Sequence, residues 1–400
     1  MKAFTSEAIL QGHHKYEKSI FRKQELYRKP EEIRTEFSRD YNRILHCNAF
    51  RRLKHKTQVF YATSNDHVCT RIEHVYHVES VSRTICENLG LNHELAAAIA
   101  LGHDLGHAPF GHEGEKVIAK LSKQYLNRLF WHEKNSLKVV DNIESLPDIY
   151  GIEQPLNLTY AVRDGIISHC GEVDQNGLKP RSEAIDLSII NHPNEYAPFT
   201  WEGCVVKIAD KIAYLGRDIE DAQKLNILTN KQVDELNDLI LSKYRTVAES
   251  VSTSSLMHNF IIDLCENSSK ENGIMMNPAT FNLMNSIKKF NYQYIYSHPR
   301  IKRYNHYVEL VLTTLFQFLT ELYNAEKTKN NIESESNNYP ELIKSFNKWI
   351  TKYTKQHNPD SVFAIYDLTS EESYIESVLT YLSLTTDQYA KRLFEEIIHF

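Results

Sequence analysis

One stretch of the sequence, residues 91–105 (LNHELAAAIALGHDL), is apolar almost throughout and ends on a histidine followed by an aspartate. Positions i, i+3, i+4 and i+7 share one face of an α-helix. That face carries Ala96, Ile99, Ala100 and His103. His103 is therefore expected to point into the interior, where Asp104 beside it is costly unless a cation or donor meets it. We predict a buried helix that offers one nitrogen and one oxygen ligand to a divalent cation.

Helical spacing continues through most of the chain, and turn-forming residues are scarce. The 400 residues include only 13 glycines and 11 prolines, about half of the usual share. We predict an all-α protein with at most a small β-hairpin near residues 58–70, where two short apolar runs flank a Ser-Asn-Asp turn. Residues 324–339 are poor in apolar side chains, and we expect a mobile surface loop there.

Three parts are predicted along the chain. Residues 1–35 form an N-terminal arm, residues 36–325 the core, and residues 326–400 a helical C-terminal segment packed on the core.

Charge and cysteine usage narrow the function classes. The formal net charge of −6 argues against a constitutively basic nucleic-acid surface, so a phosphate ligand must be drawn in by a focused pocket. The six cysteines form no CxxC pair, which favours a reducing compartment. Because no apolar stretch has the length and composition of a membrane span, we expect a cytoplasmic protein without a membrane partner.

Histidines cluster in one region of the sequence. Seven of the 19 histidines fall between positions 74 and 132, and imidazole suits both metal binding and proton transfer near neutral pH. Four candidate ligands come from three predicted helices: His74, His103, Asp104 and Asp210. Each has an ordinary alternative, since His74 and His103 can be hydrogen-bonded core histidines and Asp210 can pair with a neighbouring lysine or arginine.

The order H…HD…D at these positions resembles the signature of the HD superfamily of metal-dependent phosphohydrolases. Longer stretches are similar to the deoxynucleoside triphosphate triphosphohydrolase, or dGTPase-like, family: TRIEHVYHV, ALGHDLGHAPFGHEGE, WHEKNSLKVV, VRDGIISHCGE and VVKIADKIAYLGRDIEDA. The resemblance spans roughly residues 35–225 and is weaker at 295–301. It implies an HD-type core with a divalent ion (Mg, Mn or similar) on the four candidate ligands. It also implies hydrolysis of a dNTP, dGTP or a broader range, at the α-phosphorus to deoxynucleoside and inorganic triphosphate.

The same resemblance implies a catalytic set in the segment after the HD pair. Glu115 would act with His132 or His112, and which histidine is the general acid stays open. The ordinary alternative for Glu115 is a first-turn carboxylate at a helix N-terminus. Glycines 106, 111 and 114 would let this loop fold close over phosphates.

Substrate contacts are also implied by the resemblance. Arg71 and Lys211 match phosphate contacts, whereas Tyr214, Asp218 and Gln58 match contacts to the sugar. A tyrosine packed under the ribose leaves no room for a 2'-hydroxyl, which would favour deoxy substrates. For Gln58 the ordinary alternative is a strand-surface amide.

Two further readings stay open. The HD site could serve another nucleotide phosphohydrolase, such as a nucleoside monophosphatase or a cyclic-nucleotide or guanosine tetraphosphate (ppGpp) hydrolase. It could also be vestigial, in a catalytically silent regulator that binds nucleotides or nucleic acid. Besides a dNTP substrate, the resemblance implies a homo-oligomer, tetramer or hexamer, and names a nucleotide effector or single-stranded DNA as candidate partners.

Overall fold

Helices provide almost all of the regular structure. The computed structural model describes residues 2–28, 31–61, 65–170, 175–241, 253–357, 359 and 361–399. These residues contain seventeen α-helices, two π-helical turns (Val139–Ile143 and Asn291–Tyr296) and one two-stranded sheet. The α-helices, in chain order, are α1 (Tyr16–Ser19), α2 (Glu36–His46), α3 (Asn48–Arg52), α4 (Arg71–Leu89), α5 (His93–Gly102), α6 (Gly111–Leu126), α7 (His132–Lys138), α8 (Tyr160–Ser168), α9 (Trp201–Lys224), α10 (Asn230–Leu241), α11 (Thr253–Asn267), α12 (Pro278–Phe290), α13 (Pro299–Glu321), α14 (Thr328–Ser334), α15 (Pro340–Tyr353), α16 (Glu371–Leu384) and α17 (Asp387–Ile398). The predicted all-α class is confirmed.

The sheet lies elsewhere than the sequence suggested. Its antiparallel strands are β1 (Ser145–Pro147) and β2 (Glu153–Pro155). Residues 58–61 and 65–69 form no strand, while residues 62–64, in the expected hairpin turn, lie outside the described part of the chain. Backbone groups around the segment bind side chains instead, because Thr57 N donates to Asp387 at 2.8 Å and Cys69 N donates to Asp221 at 2.9 Å.

The chain forms two compact units. The first contains Met1–Leu45, Ala62–His103 and Leu158–Lys302, and the second contains His46–Tyr61, Asp104–Asn157 and Arg303–Phe400. The predicted division into an N-terminal arm, a core and a C-terminal segment packed on the core stays a prediction.

In the first unit, α4 packs on α5 and α9, and α5 and α9 both pack on α8. Helix α5 starts at the Asn92 side chain, which accepts the amides of residues 94 and 95, and it is buried from Leu95 to Gly102. A Cβ on Gly165 would overlap Ile99, so the two helices approach as closely as a glycine allows. This close packing holds the ends of α5 and α8 together.

In the second unit, one apolar core joins α6, α13 and the C-terminal helices α14–α17. Helix α6 packs on α16, and α15 packs on α17. The expected mobile loop at 324–339 is wrong. Those residues are helical turns around α14, because Thr328 Oγ1 binds both Asn324 N and Ala325 O and Ile332 is buried in the core.

Among the described residues, every helix is too short or too polar to span a bilayer.

Candidate active site

Three of the four predicted metal ligands meet in the first unit. His74 lies on α4, His103 directly follows α5, and Asp210 lies on α9. One ligand atom from each falls within a group whose members are all within 4.8 Å of one another. His74 Nε2 lies 3.0 Å from Asp210 Oδ1, and the His74 and His103 rings are 5.5 Å apart in an edge-on arrangement.

A backbone hydrogen bond fixes the orientation of the His103 ring. Its Nδ1 donates to the carbonyl of Ala100 at 2.6 Å, and the ring is almost completely buried. Because Nδ1 carries the proton, the lone pair is on Nε2. A histidine whose other nitrogen is held by a backbone carbonyl is typical of metal ligands.

Asp210 is ionised in this surrounding. Burial alone would raise its pKa. The hydrogen bond from His74, together with the neighbouring imidazoles of His74, His103 and His169, outweighs burial and holds the pKa of Asp210 well below its usual value. An ionised carboxylate and two buried imidazoles are a donor set that suits a borderline divalent cation.

His169 is a member of this region that sequence reasoning missed. It follows α8, its Nδ1 donates to the carbonyl of Ile166 at 2.6 Å, and its ring centre is 4.9 Å from that of His103. Both histidines thus end a helix in the same way. The available signal was the buried helix YAVRDGIIS immediately before His169.

Asp104, the fourth predicted ligand, follows His103 in the chain and belongs to the second unit. Its Oδ1 lies 3.7 Å from His132 Nε2. His132 begins α7 and is also the partner of Glu115.

Glu115 and His132 form a directly bonded pair in the second unit. Glu115 Oε1 accepts the backbone amide of His132 at 2.7 Å, and both of its oxygens lie 3.1 Å from His132 Nδ1. His107 Nε2 and His112 Nδ1 are farther from Glu115 Oε2, at 3.7 and 3.8 Å. The side chain of His112 is 57% exposed, whereas that of His107 is fully buried. Glu115 is therefore a partner of His132 rather than a first-turn carboxylate.

Neighbouring groups shift the pKa values of Glu115 and His132 in opposite directions. Burial raises the pKa of Glu115, but His132, His112 and His107 lower it more, so the pKa falls well below its usual value. For His132 burial lowers the pKa, and Glu133, Glu115 and Asp104 outweigh that effect and raise it. The pair is an ionised carboxylate bonded to a protonated imidazole at neutral pH. His107, which we did not assign from sequence, completes this group through its ring, 4.8 Å from that of His132.

The loop glycines have a packing role. Gly106 N donates to Ser136 Oγ at 2.8 Å, and a Cβ on Gly106 would overlap the backbone of Ser136. A Cβ on Gly114 would overlap the carbonyl of Pro109. Gly111 has φ = +67°, a conformation that favours glycine.

Four of the five predicted substrate residues lie in the first unit. Arg71 begins α4, and Lys211, Tyr214 and Asp218 follow Asp210 on α9. Arg71, Lys211 and Asp218 are buried, and Tyr214 is half-buried. Asp218 accepts the hydroxyl of Tyr296 at 2.5 Å, which links α9 to the segment of weaker resemblance at 295–301.

Gln58 is in the second unit and is buried. Residue 58 lies in no strand, so the strand-surface alternative is wrong.

Comparisons with known proteins agree with this architecture. The family model described as "HD domain" matches residues 71–215, and the "Phosphohydrolase-associated domain" matches residues 274–341. The deoxyguanosinetriphosphate triphosphohydrolase-like protein of Desulfatibacillum aliphaticivorans is 37% identical over 292 residues, covering 72% of this chain and 74% of that protein. The protein of the same name from Clostridium tetani is 30% identical over 373 residues, covering 92% and 86%. The chain therefore belongs to the HD-domain family of deoxyguanosinetriphosphate triphosphohydrolase-like proteins.

Proposed function

We propose that the protein hydrolyses deoxynucleoside triphosphates at the α-phosphorus and releases deoxynucleoside and inorganic triphosphate. The observation that carries this proposal is the convergence of His74, His103 and Asp210 within 4.8 Å, in a chain whose relatives bear the name deoxyguanosinetriphosphate triphosphohydrolase-like protein.

We assign the metal site to His74, His103, Asp210 and the adjacent Asp104. Two imidazoles and two carboxylates suit Mn, Mg or a similar divalent ion. A cation held there would neutralise charge on phosphoryl oxygens and make a water more acidic.

Glu115 is proposed as the proton acceptor for the attacking water. It is ionised, and the bonds to His132 N and Nδ1 fix its carboxylate. His132 holds that orientation through its positive charge. The more exposed His112 is the group proposed to meet the phosphate and to supply a proton to the leaving oxygen. Its ring centre is 5.3 Å from that of His107.

We propose that two basic side chains recognise the phosphates and that three further residues recognise the sugar. Arg71 and Lys211 would bind phosphate oxygens, and burial strengthens such contacts because water screens them less. Tyr214 and Asp218 would meet the deoxyribose, with Gln58 as a further sugar contact. The hydroxyl of Tyr296 fixes the Asp218 carboxylate.

The proposal also covers the compartment and the oligomeric state of the protein. We propose a cytoplasmic homo-oligomer that acts on free nucleotides, consistent with six cysteines that form no disulfide. Tetramer or hexamer formation and response to a nucleotide effector or single-stranded DNA stay predictions.

The test is incubation with each dNTP in turn, in the presence of Mg, Mn or Co, with products resolved by ion-exchange chromatography. We expect equal amounts of deoxynucleoside and triphosphate. The Asp210→Ala variant should lose both turnover and bound metal. Release of orthophosphate or pyrophosphate instead would contradict cleavage at the α-phosphorus. Intact dNTPs under every condition would leave the two other readings, a phosphohydrolase that acts on another nucleotide or a catalytically silent regulator.

A further inference from the structure

The turn that joins α16 to α17 holds the loop that leads into α6. Asp387, the first residue of α17, is buried, and its two oxygens accept two backbone amides. Oδ1 accepts Phe110 N and Oδ2 accepts Thr57 N, both at 2.8 Å. One carboxylate thereby ties together the residue before Gln58 and the residue before α6.

Two more side chains strengthen the same connection. Lys56 Nζ donates to the carbonyls of His107 and Ser383, at 2.5 and 2.9 Å. Asn135 Nδ2 donates to the Gly106 carbonyl at 2.6 Å and to Ser383 Oγ at 3.1 Å. The loop of residues 106–110 is thus bonded directly to Asp387 at Phe110, and its other end is linked to Ser383 through the side chains of Lys56 and Asn135.

The bond to Phe110 stabilises an unfavourable backbone. Phe110 has φ = +63° and ψ = +24°, a left-handed conformation that an aromatic residue adopts rarely and only where the surroundings hold it. Because α6 starts at the next residue, the direction of its first turns depends on this conformation. Those turns carry His112 and Glu115.

We propose that Asp387 is a positioning residue for Glu115, and that the turn of residues 383–387 is part of the catalytic apparatus. This inference rests on the proposed function. Asp387 lies outside both regions that match family models, which end at residues 215 and 341. Loss of its carboxylate would leave the first-unit ligands in place and misdirect the proton acceptor.

The experiment compares Asp387→Asn with Tyr374→Phe. An asparagine presents one oxygen and one NH₂ group, so it can accept only one of the two amides. Tyr374 lies on α16, is fully buried, and donates its hydroxyl to Leu319 O at 2.6 Å. The phenylalanine variant therefore loses a buried hydrogen bond in the same unit without touching the loop.

We expect kcat of Asp387→Asn on a dNTP to fall about 10- to 100-fold with KM nearly unchanged, since misplaced groups mainly lose transition-state contacts. Tyr374→Phe should keep the wild-type kcat. Hydrogen–deuterium exchange should speed up in peptides containing Thr57 and Phe110 only in Asp387→Asn, and bound metal should stay constant. In the Glu115→Gln background, Asp387→Asn should cost little more, because both act on one group.

Three results would overturn the inference: equal kcat in Asp387→Asn and wild type, unchanged exchange at Phe110, or a fully additive loss in the double variant. If Asp387→Asn does not fold, Lys56→Met takes its place, because it removes the bonds to the carbonyls of His107 and Ser383. We expect the same fall in kcat, with faster exchange in the peptide that contains residues 106–110. An inactive wild-type protein would instead defeat the proposed function, and the exchange measurement would still decide whether the turn holds the loop.

Discussion

Glu202 is a buried carboxyl group near the start of α9, on the same helix as Asp210. Its Oε1 accepts the amides of Ile9 and Asn92, both at 3.0 Å. Burial nevertheless raises the pKa of Glu202 to about 7. The folded protein therefore holds a proton that the unfolded chain, with an ordinary pKa near 4.5, releases.

This pKa predicts how stability depends on pH. The contribution of Glu202 to the free energy of unfolding is fully present below about pH 4.5. It declines by about 3 kcal/mol in total as the pH rises to about 7. Glu202→Gln cannot ionise, so its unfolding free energy relative to wild type should rise across that window and then level off. Urea unfolding at a series of pH values measures this difference. A constant difference from pH 4.5 to 8 would contradict the shifted pKa.

Glu115 offers a second prediction at this scale. Glu115→Gln keeps the shape of the side chain but cannot accept a proton, so kcat should fall about 10²- to 10⁴-fold. The metal content should not change, because the ligand group of the first unit is untouched. Glu113→Gln, two residues earlier and paired with Lys116 at 3.1 Å, is the matched control and should keep full activity. Wild-type turnover by Glu115→Gln would remove Glu115 from the mechanism.

Individual residues show how far the sequence could lead. The convergence of His74, His103 and Asp210 followed from helical periodicity together with family resemblance. His107 and His169 were not assigned, because their roles depend on which helix ends meet, and periodicity within one helix carries no such information. The partners of Asp387 are 277 and 330 positions away, beyond the reach of any local pattern.

Among the elements, the loop between α5 and α6 depends on contact with α7. A Cβ on Gly106 would overlap the backbone of Ser136, and a helix backbone cannot yield as a flexible side chain can. Gly106→Ala should therefore lower the unfolding free energy by about 1–3 kcal/mol. It should also reduce turnover. Thermal unfolding and a dNTP hydrolysis assay check both effects. An unaltered melting temperature would show that the loop has more room than the structure gives it.

The elements also show where local pattern failed. Residues 324–339 have too few apolar side chains to predict a helix, yet Ile332 and the Thr328 bonds suffice because a core already exists beneath them. The sheet was misplaced for the opposite reason. Apolar runs near residues 58–70 have the right composition, but tertiary contacts take up the amides of Thr57 and Cys69.

At the scale of the whole molecule, metal binding should raise the melting temperature. A ligand that binds only the folded state stabilises it by about 2.7 kcal/mol at 100 times its dissociation constant. Adding Mn to metal-stripped protein should therefore raise the melting temperature of the wild type and of Glu115→Gln, but not of Asp210→Ala. An equal rise in Asp210→Ala would place the ion somewhere other than the His74–His103–Asp210 group.

The position of Asp387 near the end of the chain affects how truncated alleles of genes in this family should be classified. An allele with a stop codon just before position 387 would still encode the complete HD domain and the phosphohydrolase-associated region. Every proposed metal ligand would be present, and a survey that scores genes by those residues would count it as intact. Its product would nevertheless lack Asp387, which we propose positions Glu115, together with the buried α17 residues Leu393 and Phe394, so we predict that such truncations are loss-of-function alleles.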